Sequence, residues 1–443
     1  MRSTKSSLNS TLQAQKIGDF CYSLVKELFP ICRSLTGEGV RQTLAIINRH
    51  LPNLSITEIA SGTQVFDWTV PEEWTIRDAY VADLAGVRII DFKAHNLHVV
   101  GYSIPVDQWL DLEELDKHLY SLPDLANAIP YVTSYYTRRW GFCLTHEQRT
   151  KLKPGYYRAV IDAQLTPGVL NYGELIIPGK SKQEILLSTY ICHPSMANNE
   201  LSGPAVTTAL ALWLMSLKNR HYTYRIVFIP ETIGSLVYLS RNLAQMKERT
   251  VAGFNITCIG DDRCYSFLPS RQGNTLADQA AEHVLKHIAP DFKKYTWQDR
   301  GSDERQYCAP GIDLPVATIM RSKYGQYPEY HTSLDNLSLV TPSGLAGGFN
   351  ALKQAIKAIE NNYRLKTNIL GEPHLSKRGL YPSLGTREAS TKVKTMMNLI
   401  SYCDDTLLLD IAEIINEPIA KLLKILKPLV ANGLIQATMT AQN

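Results

Sequence analysis

Apolar positions along the chain fall into distinct textures. Over residues 16–50 they recur at helical spacing: Ile17, Phe20, Leu24 and Leu28 share a face, and Leu44, Ile46 and Ile47 follow after an interruption. The interruption, Cys32-Arg-Ser-Leu-Thr-Gly-Glu-Gly39, carries two glycines and predicts a loop. Residues 1–15 are polar without a period and predict a loose lead. From 55 to 174, short β-like runs at 65–71, 80–83, 87–90 and 97–100 alternate with turn residues and predict a mostly β segment. Its Trp68, Trp74, Trp109, Tyr135, Tyr136 and Trp140 suit either core packing or the lining of a cleft.

From about 175 to 365 the pattern alternates between strand-length apolar runs and helical periods. Strands are expected at 184–189, 224–229, 253–259 and 316–320, and helices at 204–217, 236–246, 275–288 and 344–363. That alternation predicts an α/β fold whose mostly parallel sheet is flanked by helices. Chemistry then belongs in the loops beyond the carboxyl ends of the strands. Residues 377–443 read as helices over 391–402, 408–413 and 419–432 closing on Asn432-Gly433, the pattern of a winged helix. The expected division is a helical N-terminal part (1–54), a β-rich inserted domain (55–174), an α/β core (175–376) and a winged-helix domain (377–443).

Composition narrows the function classes. With 443 residues, 44% of them hydrophobic and 20% charged, the chain is an ordinary globular one of more than one domain. The net charge of +4 comes without a basic block, so no nucleic-acid partner is expected. Residues 387–443 hold six basic and six acidic side chains, which suits packing or homo-oligomerisation through this domain better than phosphate binding. Eight scattered cysteines without a CxxC pair read as free thiols of a reducing compartment. The start has no apolar signal core, and no run approaches the roughly 18 apolar residues of a membrane span. A cytoplasmic protein without a membrane partner is the expectation.

Four clusters carry chemistry. One is Cys192-His-Pro-Ser-Met-Ala-Asn-Asn-Glu-Leu-Ser-Gly203; a second is Glu231 at the end of an apolar strand, before Gly234-Ser235. The third is Gly260-Asp261-Asp262-Arg263, and the fourth is Tyr330-His331-Thr332 with Asp335, preceded by Ser302-Asp303-Glu304. Singly each has a bland reading: a hydrogen-bonded loop histidine, a first-turn charge, a solvated turn. Recurring after successive strands of one sheet they converge, and two histidines with carboxylates suit Zn²⁺.

In order and type these clusters resemble the zinc aminopeptidase family. The matching pieces are His193, Asn199-Glu-Leu-Ser-Gly203, Glu231, Asn255-Ile-Thr-Cys-Ile-Gly260, Ser302-Asp303, Gly311-Ile-Asp-Leu-Pro315 and Tyr330-His331-Thr332. Over nearly the whole chain, Asp67-Trp-Thr-Val-Pro71, Trp140-Gly-Phe-Cys143 and the 192–203 segment are similar to bacterial aminopeptidase-like proteins. Those carry a β-rich insertion and a C-terminal winged helix, and are often linked to surface-polysaccharide gene clusters. The resemblance implies a zinc-aminopeptidase-like fold, a peptide or other amide-bearing substrate, and one or two Zn²⁺ ions. It implies metal ligands among His193, Glu200, Asp262 and His331, with Glu231 as general base. Asp303 would hold an imidazole or a substrate amine, and Asp335 would orient His331. The chain departs from the family at Asn199 and Thr257, where metal-binding aspartates are expected, and Glu231 stands alone where the family has Glu-Glu. Those departures keep two other classes open: a binding protein on a degenerate peptidase fold, and a winged-helix regulator with a ligand-sensing domain.

Overall fold

The run Glu184–Tyr190 is buried at all seven positions, as happens when a strand has neighbours on both edges and helices over both faces. In the computed structural model it is the centre of the molecule's largest sheet. The model describes residues 2–381 and 387–439, without the side chains of 2–14 and 387–390. The sheet has eight strands: β1 (Ser55–Ala60), β2 (Val169–Ile177), β3 (Glu184–Tyr190), β4 (Thr223–Ile229), β5 (Thr250–Asn255), β6 (Ser266–Leu268), β7 (Lys293–Lys294) and β8 (Val316–Met320). They lie in the order β1-β2-β4-β3-β5-β8-β6-β7. The four central strands β4, β3, β5 and β8 are parallel; β1, β2 and β6 join antiparallel.

The helices Ser202–Ser216 and Ile233–Arg249 make the crossovers from β3 to β4 and from β4 to β5. Ser202–Ser216 starts hard against the sheet. A Cβ on Gly203 would lie 2.4 Å from Thr189 Oγ1 and 2.5 Å from the Ile256 carbonyl oxygen. Gly39 plays the same part for the 32–39 loop, where a Cβ would lie 2.0 Å from the Cys32 carbonyl oxygen.

The 55–174 segment does not stay apart from the α/β core, because β1 and β2 pair into the edge of the main sheet. Between them lies a four-stranded antiparallel sheet in the order Arg88–Asp91, Glu73–Ala82, Tyr156–Thr166, Val106–Asp111. Trp74 and Trp140 pack in the core, whereas Trp68, Trp109 and Tyr136 are exposed. The polar start is helical as well, within Arg2–Leu28. Residues 2–17 contain no Gly or Pro to break a helix, and an apolar period reports burial rather than helicity.

Two compact units divide the chain: 1–273 with 293–350, and 274–292 with 351–443. The second holds the helix Leu276–Ile288 and a winged-helix arrangement. Its helices are Arg387–Ser401, Leu408–Ile414 and Ile419–Ala431, and its sheet places Tyr363–Thr367 between Asp404–Leu407 and Ile435–Met439. Tyr363–Thr367 pairs with both neighbours, so the unit begins well before residue 377. Residues 382–386 and 440–443 of the expected domain lie outside the described ones. No helix among the described residues is long and apolar enough to cross a membrane, and all eight cysteines are free.

Candidate active site

The loops leaving β3 and β4 put His193 and Glu231 side by side, with His193 Nε2 3.7 Å from a Glu231 oxygen. His331, from the loop after β8, brings its ring to 5.4 Å from that of His193. Tyr131 packs against both imidazoles at 5.1 Å, and Tyr330 stacks on His331 at 3.9 Å. His331 Nε2 is buried and has no hydrogen-bond partner. Burial holds both imidazoles neutral, pulling His193 down to about 3 and, with His193 adding a smaller repulsion, His331 to about 3 as well.

Several site residues hold backbone conformations that side chains rarely adopt: His331 at φ 55°, Thr232 at 64°, Cys258 at 49°, Ser195 at 48° and Tyr135 at 40°. Such strain costs on the order of 1–3 kcal/mol each and persists where surrounding structure over-determines it, typically at functional positions. Here the causes are visible. Thr232 donates its N–H to Asp303 at 2.8 Å and receives Arg305 on its hydroxyl at 2.7 Å. The His331 carbonyl receives the Tyr131 N–H at 2.8 Å.

The carboxylates do not all meet at this point. Glu200 lies on the opposite edge of His193, its Oε2 2.9 Å from Nδ1, so it orients the ring instead of joining His331. Behind it stands Arg33, fully buried, with Nε 3.6 Å from Glu200 and bonded to the His193 carbonyl at 3.0 Å. Burial pushes Glu200 up to about 8, and the Arg33 charge pulls against it. Cys192, His193 and Glu200 are close enough to form a three-donor cluster. A cation there would sit beside the Arg33 guanidinium, which makes it a poor metal site. Arg33 was not legible from the sequence, where 32–39 reads as a loop; the close-packed Gly39 is the one signal that this loop is tightly built.

Asp262 is exposed and bonds Ser343 at 2.9 Å and the Thr341 hydroxyl. Its position follows from chain direction: Asp261 turns inward and is used up by Ser322 and Asn198, and its neighbour faces solvent. Asp303 is buried against the Glu231 loop, accepting from Thr232 N and Ser235 Oγ. It shapes that loop and contacts no imidazole. Asp335 does not hold His331 either. It accepts the N–H groups of Asn198 and Asn199 at 2.6 and 2.9 Å and the Tyr327 hydroxyl at 2.8 Å, pinning the 197–201 turn.

A second-metal position does not fit. Where aspartates would be needed, Asn199 Nδ2 donates to the Tyr190 hydroxyl at 2.8 Å and Thr257 Oγ1 lies 2.6 Å from the same hydroxyl. These neutral groups satisfy one another and offer no anionic charge. For a single divalent cation the donors that remain are the two imidazoles: His193 Nε2 is turned away from its Glu200 bond, and His331 Nε2 is buried without a hydrogen-bond partner. Over these groups opens a pocket of about 400 Å³ lined by Trp68, Tyr131, Tyr135, Tyr136, His193, Glu231, Thr232, Arg305 and His331, among others.

Known proteins share the sequence or the fold of this chain at different depths. Residues 22–362 match the family model described as Domain of unknown function (DUF4910), and 363–437 match winged helix-turn-helix. A Clostridium acetobutylicum protein, named as a candidate polysaccharide biosynthesis protein with an aminopeptidase-like domain, is 46% identical over 380 residues, 85% of this chain and 87% of that protein. The crystal structure of a candidate peptidase from the same organism superposes with a TM-score of 0.91 at 41% identity, covering 98% of this chain and 100% of that one. A zinc aminopeptidase from Bacillus subtilis shares the fold with a TM-score of 0.56 at 12% identity, covering 76% of this chain and 94% of that one.

Proposed function

The chain belongs to the DUF4910 family of aminopeptidase-like proteins carrying a C-terminal winged helix, and from that premise we propose that it is a metal-dependent hydrolase that cleaves an amide with water. The observation that carries this reading is the pair of neutral imidazoles, His193 and His331, facing a protonatable Glu231 at the floor of an open pocket. A single Zn²⁺ held by His193 Nε2 and His331 Nε2 would polarise the scissile carbonyl and lower the pKa of a water. Glu200 accepts from His193 Nδ1–H and so leaves the Nε2 lone pair free. Glu231 is pushed up to about 8, chiefly by burial and then by the charge of Asp303. A carboxyl in that range exchanges protons near neutrality, as general acid–base work requires. It takes the proton of the attacking water as the C–O bond forms, and returns it to the amide nitrogen as the C–N bond breaks.

The reading is tested by zinc content and zinc-induced thermal stabilisation of wild type, His193→Ala and His331→Ala. The expected result is about one zinc per wild-type chain, with a raised melting temperature, and loss of both effects in each variant. A folded wild type that takes up no zinc overturns it. That outcome favours the second reading, a binding protein on the peptidase fold, for which the uncharged Asn199–Tyr190–Thr257 network speaks.

A further inference from the structure

The pocket over His193 and Glu231 is selective in charge. An enzyme that releases the first residue of a peptide must seat a free ammonium next to the scissile carbonyl, and needs a carboxylate to receive it. None is available here. Glu231 is engaged as the proton carrier, Asp303 is fully buried beneath Thr232, and Glu200 is matched by Arg33. The standing charge on the wall is the guanidinium of Arg305. It is exposed, held in place by one hydrogen bond to Thr232 Oγ1 at 2.7 Å, and forms no ion pair among the described residues. An ammonium in this pocket would be repelled, whereas a carboxylate would find a fork of unused N–H donors matched to its two oxygens.

A second, independent feature lies at the mouth. Trp68 and Tyr136 are 40% and 50% exposed although they pack edge to face at 5.8 Å, and the Tyr136 hydroxyl is tied to the Thr69 carbonyl at 2.9 Å. Large aromatic faces fixed in place yet left to solvent form an amphipathic platform, suited to the C–H face of a pyranose ring. We infer that the substrate is an N-acylated amino sugar bearing a carboxylate, with Arg305 receiving the carboxylate, Trp68 and Tyr136 the ring, and the acyl amide directed to Glu231. The reaction consumes water, breaks the C–N bond, and yields a carboxylic acid and the free amino sugar acid. The inference rests on the amide-hydrolase reading of the same site.

The test uses full-length zinc-loaded protein, with binding by calorimetry and amine release as separate readouts. The ligands are an N-acetylhexosaminuronate, N-acetylglucosamine, an N-acetyl amino acid and an aminoacyl anilide. The uronate is expected to bind most tightly and to release amine. Arg305→Gln should weaken the uronate by about tenfold or more, the scale of a lost charge-assisted pair, and leave N-acetylglucosamine within about twofold; Arg305→Lys should recover part of the loss. Trp68→Ala should weaken both sugars alike. Preference for the N-acetyl amino acid, or an Arg305→Gln effect equal on charged and neutral sugars, overturns the inference. Cleavage of the anilide unaffected by Arg305→Gln leaves the hydrolase standing and sinks this substrate class. Arg305-dependent uronate binding without amine release from any compound sinks the hydrolase reading and upholds the carboxylate site.

Discussion

Arg33 shows what a single buried charge does here. Its guanidinium is out of water, bonded to the carbonyls of Leu28 and His193 and set against Glu200, both side chains being 0% exposed. Removing one partner of a buried pair leaves the other uncompensated, at a cost of about 3–5 kcal/mol. Arg33→Met is therefore expected to lose about that much stability in urea denaturation above about pH 8, where Glu200 is ionised beside Arg33, and zinc affinity with it, because without the guanidinium Glu200 would hold a proton there and stop accepting from His193 Nδ1. A loss below about 1 kcal/mol would mean that Glu200 is already neutral in the wild type. None of this can be read in Cys32-Arg-Ser-Leu-Thr-Gly-Glu-Gly39, since a buried arginine and a solvated one look alike without their partners, and the partner is 167 positions away. His193, Glu231 and His331 were legible for the opposite reason. His193 and Glu231 each closely follow a strand, whose direction carries them to one edge, and His331 reaches the same edge from the loop after β8. Asp262 and Asp335 share that signal, yet Asp262 faces solvent and Asp335 pins a turn. Spacing along the chain places a residue at the sheet edge without fixing which way it points.

At the scale of elements, the central strands and their crossover helices were readable because both periods are strong where burial is two-sided. The edge strands were harder. β1 and β2 belong to the main sheet, but they lie in a segment whose turn-rich texture matches the separate sheet between them. A tight joint that bears on the site is where the helix Ser202–Ser216 leaves it, at Gly203. Gly203→Ala would drive a methyl group into Thr189 Oγ1 and the Ile256 carbonyl, at 2.4 and 2.5 Å. Backbone must yield there, and overpacking of this kind typically costs about 1–3 kcal/mol. The helix carries the 197–201 turn with it, so the expected outcome is a lower melting temperature together with weakened zinc binding. A fall in stability with unchanged zinc affinity would show that the turn is held by Asp335 independently of the helix.

The whole molecule concentrates groups with opposed proton demands, and its stability should record that. His193 and His331 are depressed to about 3 and His95 to about 4, in each case first by burial. Their unfolded values lie near 6.5, so the unfolded chain binds more protons as pH falls below 6.5, and stability is lost toward acid, by up to about 1.4 kcal/mol per group per pH unit. Glu200 and Glu231, raised to about 8, Asp303, raised to about 7, and Asp335, raised to about 6, do the reverse, again with burial as the leading cause. The folded state holds their protons above pH 4–4.5, where the unfolded chain has released them, and the advantage is lost as pH rises through 6 to 8. Between about pH 4.5 and 6.5 the two sets oppose each other. Metal-free protein should therefore be most stable in that interval and fall off on both sides. Zinc changes the balance through Glu231: a cation beside it favours the ionised form and removes part of the alkaline loss, and as pH falls the carboxyl regains its proton and the cation is held less tightly. Melting temperatures measured from pH 4 to 9 with and without zinc should show curves that separate above pH 7 and converge below pH 5. Parallel curves across the range would place the cation away from Glu231.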